Sequence, residues 1–427
     1  MRRQVRQGAR ALAALCLGFT LVAPLVRAGP LPQDQAENSC LDCHLTLEGK
    51  PGEVAKEWQD SVHARGDVDC VSCHGGDAGA QERDVAEAAE AGSLGTIPKG
   101  IIPDLCGDCH ADEERMRPYG LPTDQLRQYR EESVHGQRLA QGDENVATCY
   151  DCHGGHEIRE PNDPTSSVYP VNLPSTCARC HADEELMRPY GISADQYALY
   201  KGSIHGLALL QEQNLRAPTC ATCHGNHGAA LPGYTEVPDL CGLQCHPLAE
   251  EAYLAGPHGR GGEGAPNCVT CHGRHDARPA SEEMFLGAED RRCGSCHLPG
   301  TPEREVVERI YQALASAAES LVEARAALTK VRLTRTNLAA EETTLLKAQT
   351  ALGVARVLQH ALRAEPIVEK TDEAKAISAQ VRDDIQKVTS VGQQEMRALF
   401  VMVLAPIAGF PALLLAKGVW DRLRKSP

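Results

Sequence analysis

The amino-acid sequence predicts a mostly α-helical and irregular chain with little or no sheet, divided into a cysteine-rich region, a helical region and an apolar end. Three observations carry this. Of 19 cysteines, 18 fall into nine close pairs before residue 297, and none follows. Only 4 Phe and 2 Trp stand against 38 Gly and 26 Pro, too few large side chains for the cysteine-rich region to build its own core. From Pro302 glycine nearly vanishes, and apolar residues take up steps of three and four, the spacing of a helix seam.

Residues 1–28 contain Arg2, Arg3, Arg6, Arg10 and Arg27, no acid, and an apolar run from Ala11 to Val26 that ends in Val26-Arg27-Ala28. This is the composition of a cleaved export signal, with which Cys16 would leave. The net charge is −15, and removing five arginines makes the remainder more acidic. Nucleic acid is an unsuitable partner for such a chain; a basic docking protein suits it.

Every cysteine pair is followed directly by a histidine. The motifs are CLDCH (Cys40, Cys43, His44), CVSCH (Cys70, Cys73, His74), CGDCH (Cys106, Cys109, His110), CYDCH (Cys149, Cys152, His153) and CARCH (Cys177, Cys180, His181). They continue as CATCH (Cys220, Cys223, His224), CGLQCH (Cys241, Cys245, His246), CVTCH (Cys268, Cys271, His272) and CGSCH (Cys293, Cys296, His297). Zinc ribbons and redox dithiols also use CxxC, but neither needs histidine in the next position. With 17 His in 427 residues, chance would supply one there about 4% of the time. Nine of nine identifies c-type haem attachment, two thioethers to the porphyrin and one histidine to the iron. The seventh motif has three spacer residues. It carries a ninth haem like the rest, or Cys241 and Cys245 form a disulfide and eight haems remain.

Seven further histidines recur in two settings. His63, His135, His205 and His258 lie in helix-like segments ahead of a motif (DSVH, ESVHG, GSIHG, GPHG), and His156, His227 and His275 end the phrase CHGxH. A histidine three residues after the motif histidine is tethered to the same face of that haem and must serve a neighbour. These seven are therefore expected as sixth ligands, giving bis-histidine irons. Nine haems against seven ligands leaves two irons short. The second motif has Asp77 where others have histidine. Met116 and Met187, in HADEERMRPYG and HADEELMRPYG, are either ligands or packing residues, and His360 is either a ligand or a helix-face residue.

The chain repeats itself: Cys106 to Cys177, Cys149 to Cys220 and His156 to His227 are each 71 residues apart. Residues 29–300 thus form a haem-packed multihaem cytochrome c domain in which porphyrin, at roughly 30 residues per haem, supplies the core. Residues 301–393 are expected as a helical hairpin or coiled-coil region, with Val307, Ile310, Leu314, Ala317, Leu321, Ala324, Leu328 and Val331 on the seam. A break falls near Arg335, and beyond Pro366 a further helix bears Ile377, Val381, Ile385 and Val388. Residues 394–427 are expected as a transmembrane anchor with a basic cytoplasmic tail. Ala398 to Ala416 is 19 residues without a charge, enough for about 28 Å, and Lys417, Arg422, Arg424 and Lys425 follow. The expected location is the periplasmic face of the cytoplasmic membrane.

The phrase YREESVHGQRLAQGDENVATCYDCHGGHEIREPNDPTSSVYPVNLPSTCARCH resembles the repeating unit of periplasmic multihaem cytochromes c with doubled CxxCH motifs. The SxH helix before CxxCH is more distantly similar to membrane-anchored cytochromes of the NapC/NirT type, which place their anchor at the other end. The resemblance covers about residues 40 to 297. It implies electron transfer between the quinone pool, or an integral-membrane cytochrome b partner, and periplasmic redox proteins, with His135, His205, His156 and His227 as axial ligands. The alternative is a multihaem reductase of nitrite or a related oxyanion, which needs an iron with an open sixth position.

Overall fold

The structure, a computed structural model, describes residues 38–66, 68–262, 264–287, 293–332 and 337–424. The expected export signal, residues 1–28, lies outside them. Every regular element among the described residues is helical.

In the cysteine-rich region the helices are short, and many of them carry a motif or a ligand histidine. Cys70–His74, Cys149–His153, Cys220–His224 and Cys268–His272 are single turns. A single helical turn puts positions i, i+3 and i+4 on one face, so both thiols and the ring point the same way. After each of these four turns the chain reverses at Gly75, Gly154, Gly225 or Gly273, with φ of 67, 85, 80 and 88°. Those angles strain any residue with a Cβ, which is why the CHG phrase recurs. Ile102–His110 and Leu173–His181 begin one turn earlier, each with a proline in its first turn. The seventh motif departs from this pattern. Helix Val237–Gly242 holds Cys241 but ends before Cys245, and His246 caps the next helix, Pro247–Ala255.

The helical region is a bundle of three helices rather than a two-helix hairpin: α1 (Pro302–Arg332), α2 (Ala339–Leu358) and α3 (Ala364–Leu423). The seam expected on α1 is the buried face. Val307, Ile310, Leu314, Ala317, Ala324, Leu328 and Val331 are buried, and Leu321 packs at the edge. On α3 the buried stripe is Ile367, Thr371, Ala374, Ser378, Val381 and Ile385. Pro366 lies in the first turn of α3, where its missing N–H costs no helical bond. Many facing positions are alanine, which lets the helices approach closely. Arg304, itself buried, ties α1 to the cysteine-rich region by donating to Phe285 O and Leu286 O, each at 3.0 Å, while its Nε donates to Glu308 at 2.9 Å.

The transmembrane anchor expected over 394–427 is not supported. Among the described residues no helix is long and apolar enough to cross a membrane. Residues 398–416 do not form a helix of their own. They form the distal part of α3, a 60-residue helix whose proximal half is charged and packed in the bundle. The side chains of residues 403–416 lie outside those described. The single-pass C-terminal attachment therefore has no support, nor have the periplasmic-face location and the cytoplasmic tail that depend on it.

Candidate haem sites

Numbering the motifs I to IX from the N-terminus, one cavity of about 4180 Å³ passes all nine and is lined by the nine motif histidines and by every motif cysteine except Cys43 and Cys245. That leaves roughly 460 Å³ per motif, within the size of a cofactor pocket. All eighteen motif cysteines are free thiols, Cys241 and Cys245 among them.

The cysteines of successive motifs are neighbours in sequence order. Cys106 lies beside Cys149, Cys177 beside Cys220 and Cys241 beside Cys268, where the helices of motifs III and IV, V and VI, and VII and VIII touch. The remaining steps are looser, with thiols near enough to feel each other's charge but not in contact: Cys40 and Cys70, Cys73 and Cys109, Cys152 and Cys177, Cys223 and Cys241, and Cys271 and Cys293. Burial pushes the Cys152 and Cys271 thiols up to about 11, a measure of how dry this strip is.

The histidines pair across it. Ring centroids are 6.1 Å apart for His63 and His110, 6.0 Å for His74 and His156, 6.1 Å for His135 and His181, and 6.1 Å for His153 and His227. They are 6.4 Å apart for His205 and His246, 5.9 Å for His224 and His275, 6.0 Å for His258 and His297, and 6.1 Å for His272 and His360. Two metal–nitrogen bonds of about 2 Å, with a ring radius at each end, also span roughly 6 Å, so each pair fits one iron between its rings. Burial lowers the pKa of both rings in several pairs, to about 4 for His153, where His227 adds to the effect. This favours the neutral imidazole that a metal binds.

Local structure explains how each ligand is aimed. In SxH the serine is the N-cap. Ser61, Ser133 and Ser203 are buried and accept from the backbone N–H of Ala64 (3.2 Å), Gly136 (2.9 Å) and Gly206 (3.0 Å), which fixes the histidine in the first turn. The next N–H, of Val62, Val134 and Ile204, donates to the carbonyl two residues beyond a CHGxH histidine: Ile158 (2.9 Å), Ala229 (2.9 Å) and Ala277 (3.0 Å). One backbone hydrogen bond therefore joins an SxH helix to a distant tail. Each such joint delivers two rings to two adjacent motifs: His156 and His63 to II and III, His227 and His135 to IV and V, His275 and His205 to VI and VII. His258 sits in a turn after Pro247–Ala255 rather than in a helix. At the motif histidines, Nδ1 lies 2.9 Å from Gly95 O for His74, 3.1 Å from Ala230 O for His224, and 2.8 Å from Arg278 O for His272. With the proton on Nδ1, Nε2 is free for a metal.

The seven expected distal histidines are each brought against a motif histidine, and His360 joins them as an eighth. It lies in the single turn Gln359–Ala361 between α2 and α3, with Nδ1 2.9 Å from Val357 O and its ring against His272. Sequence reasoning left it open because no recurring phrase surrounds it. Met116 and Met187 are buried, and the places opposite His110 and His181 belong to His63 and His135, so both methionines pack. Asp77 is exposed and accepts from Gly79 N at 2.9 Å. His44 of motif I faces a carboxylate: its Nε2 is 3.7 Å from Glu87 Oε1.

Two family descriptions match the chain. Cytochrome c3 matches residues 62–184, which hold motifs II to V, and cytochrome c554 and c-prime matches residues 26–75, which hold motifs I and II. No solved structure matches. The two matches support a multihaem c-type cytochrome that transfers electrons, and they imply haem c as its cofactor.

Proposed function

We propose that the chain carries nine c-type haems, eight of them with a histidine on each face of the iron, and conducts electrons along the row between redox proteins in anaerobic respiration. When bound, haem supplies a one-electron iron couple; the protein supplies spacing, ligation and a dry surrounding. The single observation that most supports this reading is the set of eight histidine pairs, one at each motif histidine from His74 to His297, with ring centroids 5.9 to 6.4 Å apart. Paired histidines support conduction over substrate turnover, because an iron held on both faces has no open position for a substrate.

The partners follow from charge and from the resemblance. A net charge of −15 suits basic docking faces. A quinone-reactive or cytochrome b protein as donor and small redox proteins as acceptors complete the path. Mass spectrometry of the holoprotein with protein-film voltammetry tests the reading. Nine attached haems, reversible waves and no catalytic current with nitrite are expected. A catalytic current with nitrite or another oxyanion would replace the conduit with a reductase.

A further inference from the structure

We propose that the haem on Cys40, Cys43 and His44 has the Glu87 carboxylate, rather than a histidine, over its sixth position, and that it alone among the nine takes up a small neutral external ligand; this rests on the haem-attachment reading above. All 17 histidines lie among the described residues, and sixteen of them form the eight pairs. His44 is the one left over, and the architecture explains why. Each joint of an SxH helix with a CHGxH tail serves an even motif and the odd motif after it. Motif I would need a joint from before the row begins. The opposite end faces the same shortage at motif VIII, where the bundle fills it with His360.

The tail of motif II carries the replacement. Where motifs IV, VI and VIII place a histidine, this tail has Asp77 and runs on as a longer loop. The loop folds back through Asp77 N–H to Ala86 O (3.0 Å), Gly76 N–H to Ala91 O (3.2 Å) and Leu94 N–H to His74 O (2.8 Å). These bonds hold the short helix Arg83–Ala86 beside motif II with Glu87 at its end. Arg83 Nε donates to Glu87 Oε2 at 3.0 Å, which turns Oε1 toward His44. The 3.7 Å from Oε1 to Nε2 is close to the roughly 4 Å that two bonds to one iron would set.

A carboxylate is a poorer match for haem iron than imidazole, above all when the iron is ferrous. The two side chains are 36% and 47% exposed, so a ligand has a way in. The Glu87 charge selects against anions, which makes carbon monoxide the suitable probe.

Titrating the reduced holoprotein with carbon monoxide, alongside electron paramagnetic resonance of the oxidised form, tests the assignment. One carbon monoxide per chain and one high-spin haem are expected. Both should vanish in Glu87→His, which supplies the missing imidazole, and one carbon monoxide per chain should persist in Glu87→Ala. No uptake by the wild type overturns the proposal, and so does uptake by Glu87→His equal to the wild type, which puts the open iron elsewhere. A peptide containing Cys40 and Cys43 that lacks the haem mass would instead refute attachment at motif I, and the proposal with it.

Discussion

The cysteine-rich region and the bundle build their interiors from opposite materials. Among the described residues, the bundle buries eighteen hydrophobic side chains between Val307 and Ile385, while the region before it, more than twice as long, buries ten, and both hydrophobic clusters centre on the bundle. The bundle is therefore a self-sufficient fold. The region of motifs surrounds a cavity that only a cofactor would fill, so its stability is a binding free energy in the way that a metal site's is. His360 is where the two meet, a ring held by the self-sufficient part and pointed into the dependent one.

The largest expected effect separates the two outright. Protein produced without haem attachment should lose protease resistance across residues 38–300 and keep it in α1 and α2, as mapped by limited proteolysis with circular dichroism. A resistant motif region without haem would erase the distinction. Inside the bundle, Leu352→Ala removes a buried side chain from the larger cluster and should cost about 2–5 kcal/mol in denaturant melts followed by helix signal, with the haem absorption unchanged at ambient temperature. His360→Ala sharpens the junction. It should convert one haem, that of His272, from low to high spin and leave the bundle's melting where it was. A change in several haems would show that the bundle holds the whole row in place. The smallest effect belongs to a cap: Ser203→Ala should cost about 1 kcal/mol, read as faster hydrogen exchange at Gly206 in helix Ile204–Leu210.

Much of this organisation was legible in the sequence. The nine motifs follow from spacing alone: eight repeat CxxCH, which one helical turn presents on a single face, and CGLQCH keeps the adjacent histidine with one more spacer residue. The buried face of α1 follows from its steps of three and four. The seven histidines were recognisable because their phrases recur, yet which motif each one faces was not. That pairing is set by bonds such as Val62 N–H to Ile158 O, between residues nearly a hundred positions apart. His360 and Glu87 have no repeating neighbours, and only the tertiary fold brings them to His272 and His44. The C-terminal segment reads as a span in the sequence because an uncharged run looks alike whether it stands alone or ends a long helix. In this chain it is continuous with the charged, bundle-packed part of α3.

The central claim is that eight histidine pairs each hold an iron in one row. Anomalous diffraction at the iron edge from crystals of the holoprotein tests it most directly. Nine iron peaks are expected in sequence order, eight of them midway between the paired rings, from His74 and His156 at one end to His258 and His297 at the other. Iron peaks away from these midpoints, or a row broken between consecutive motifs, would contradict it.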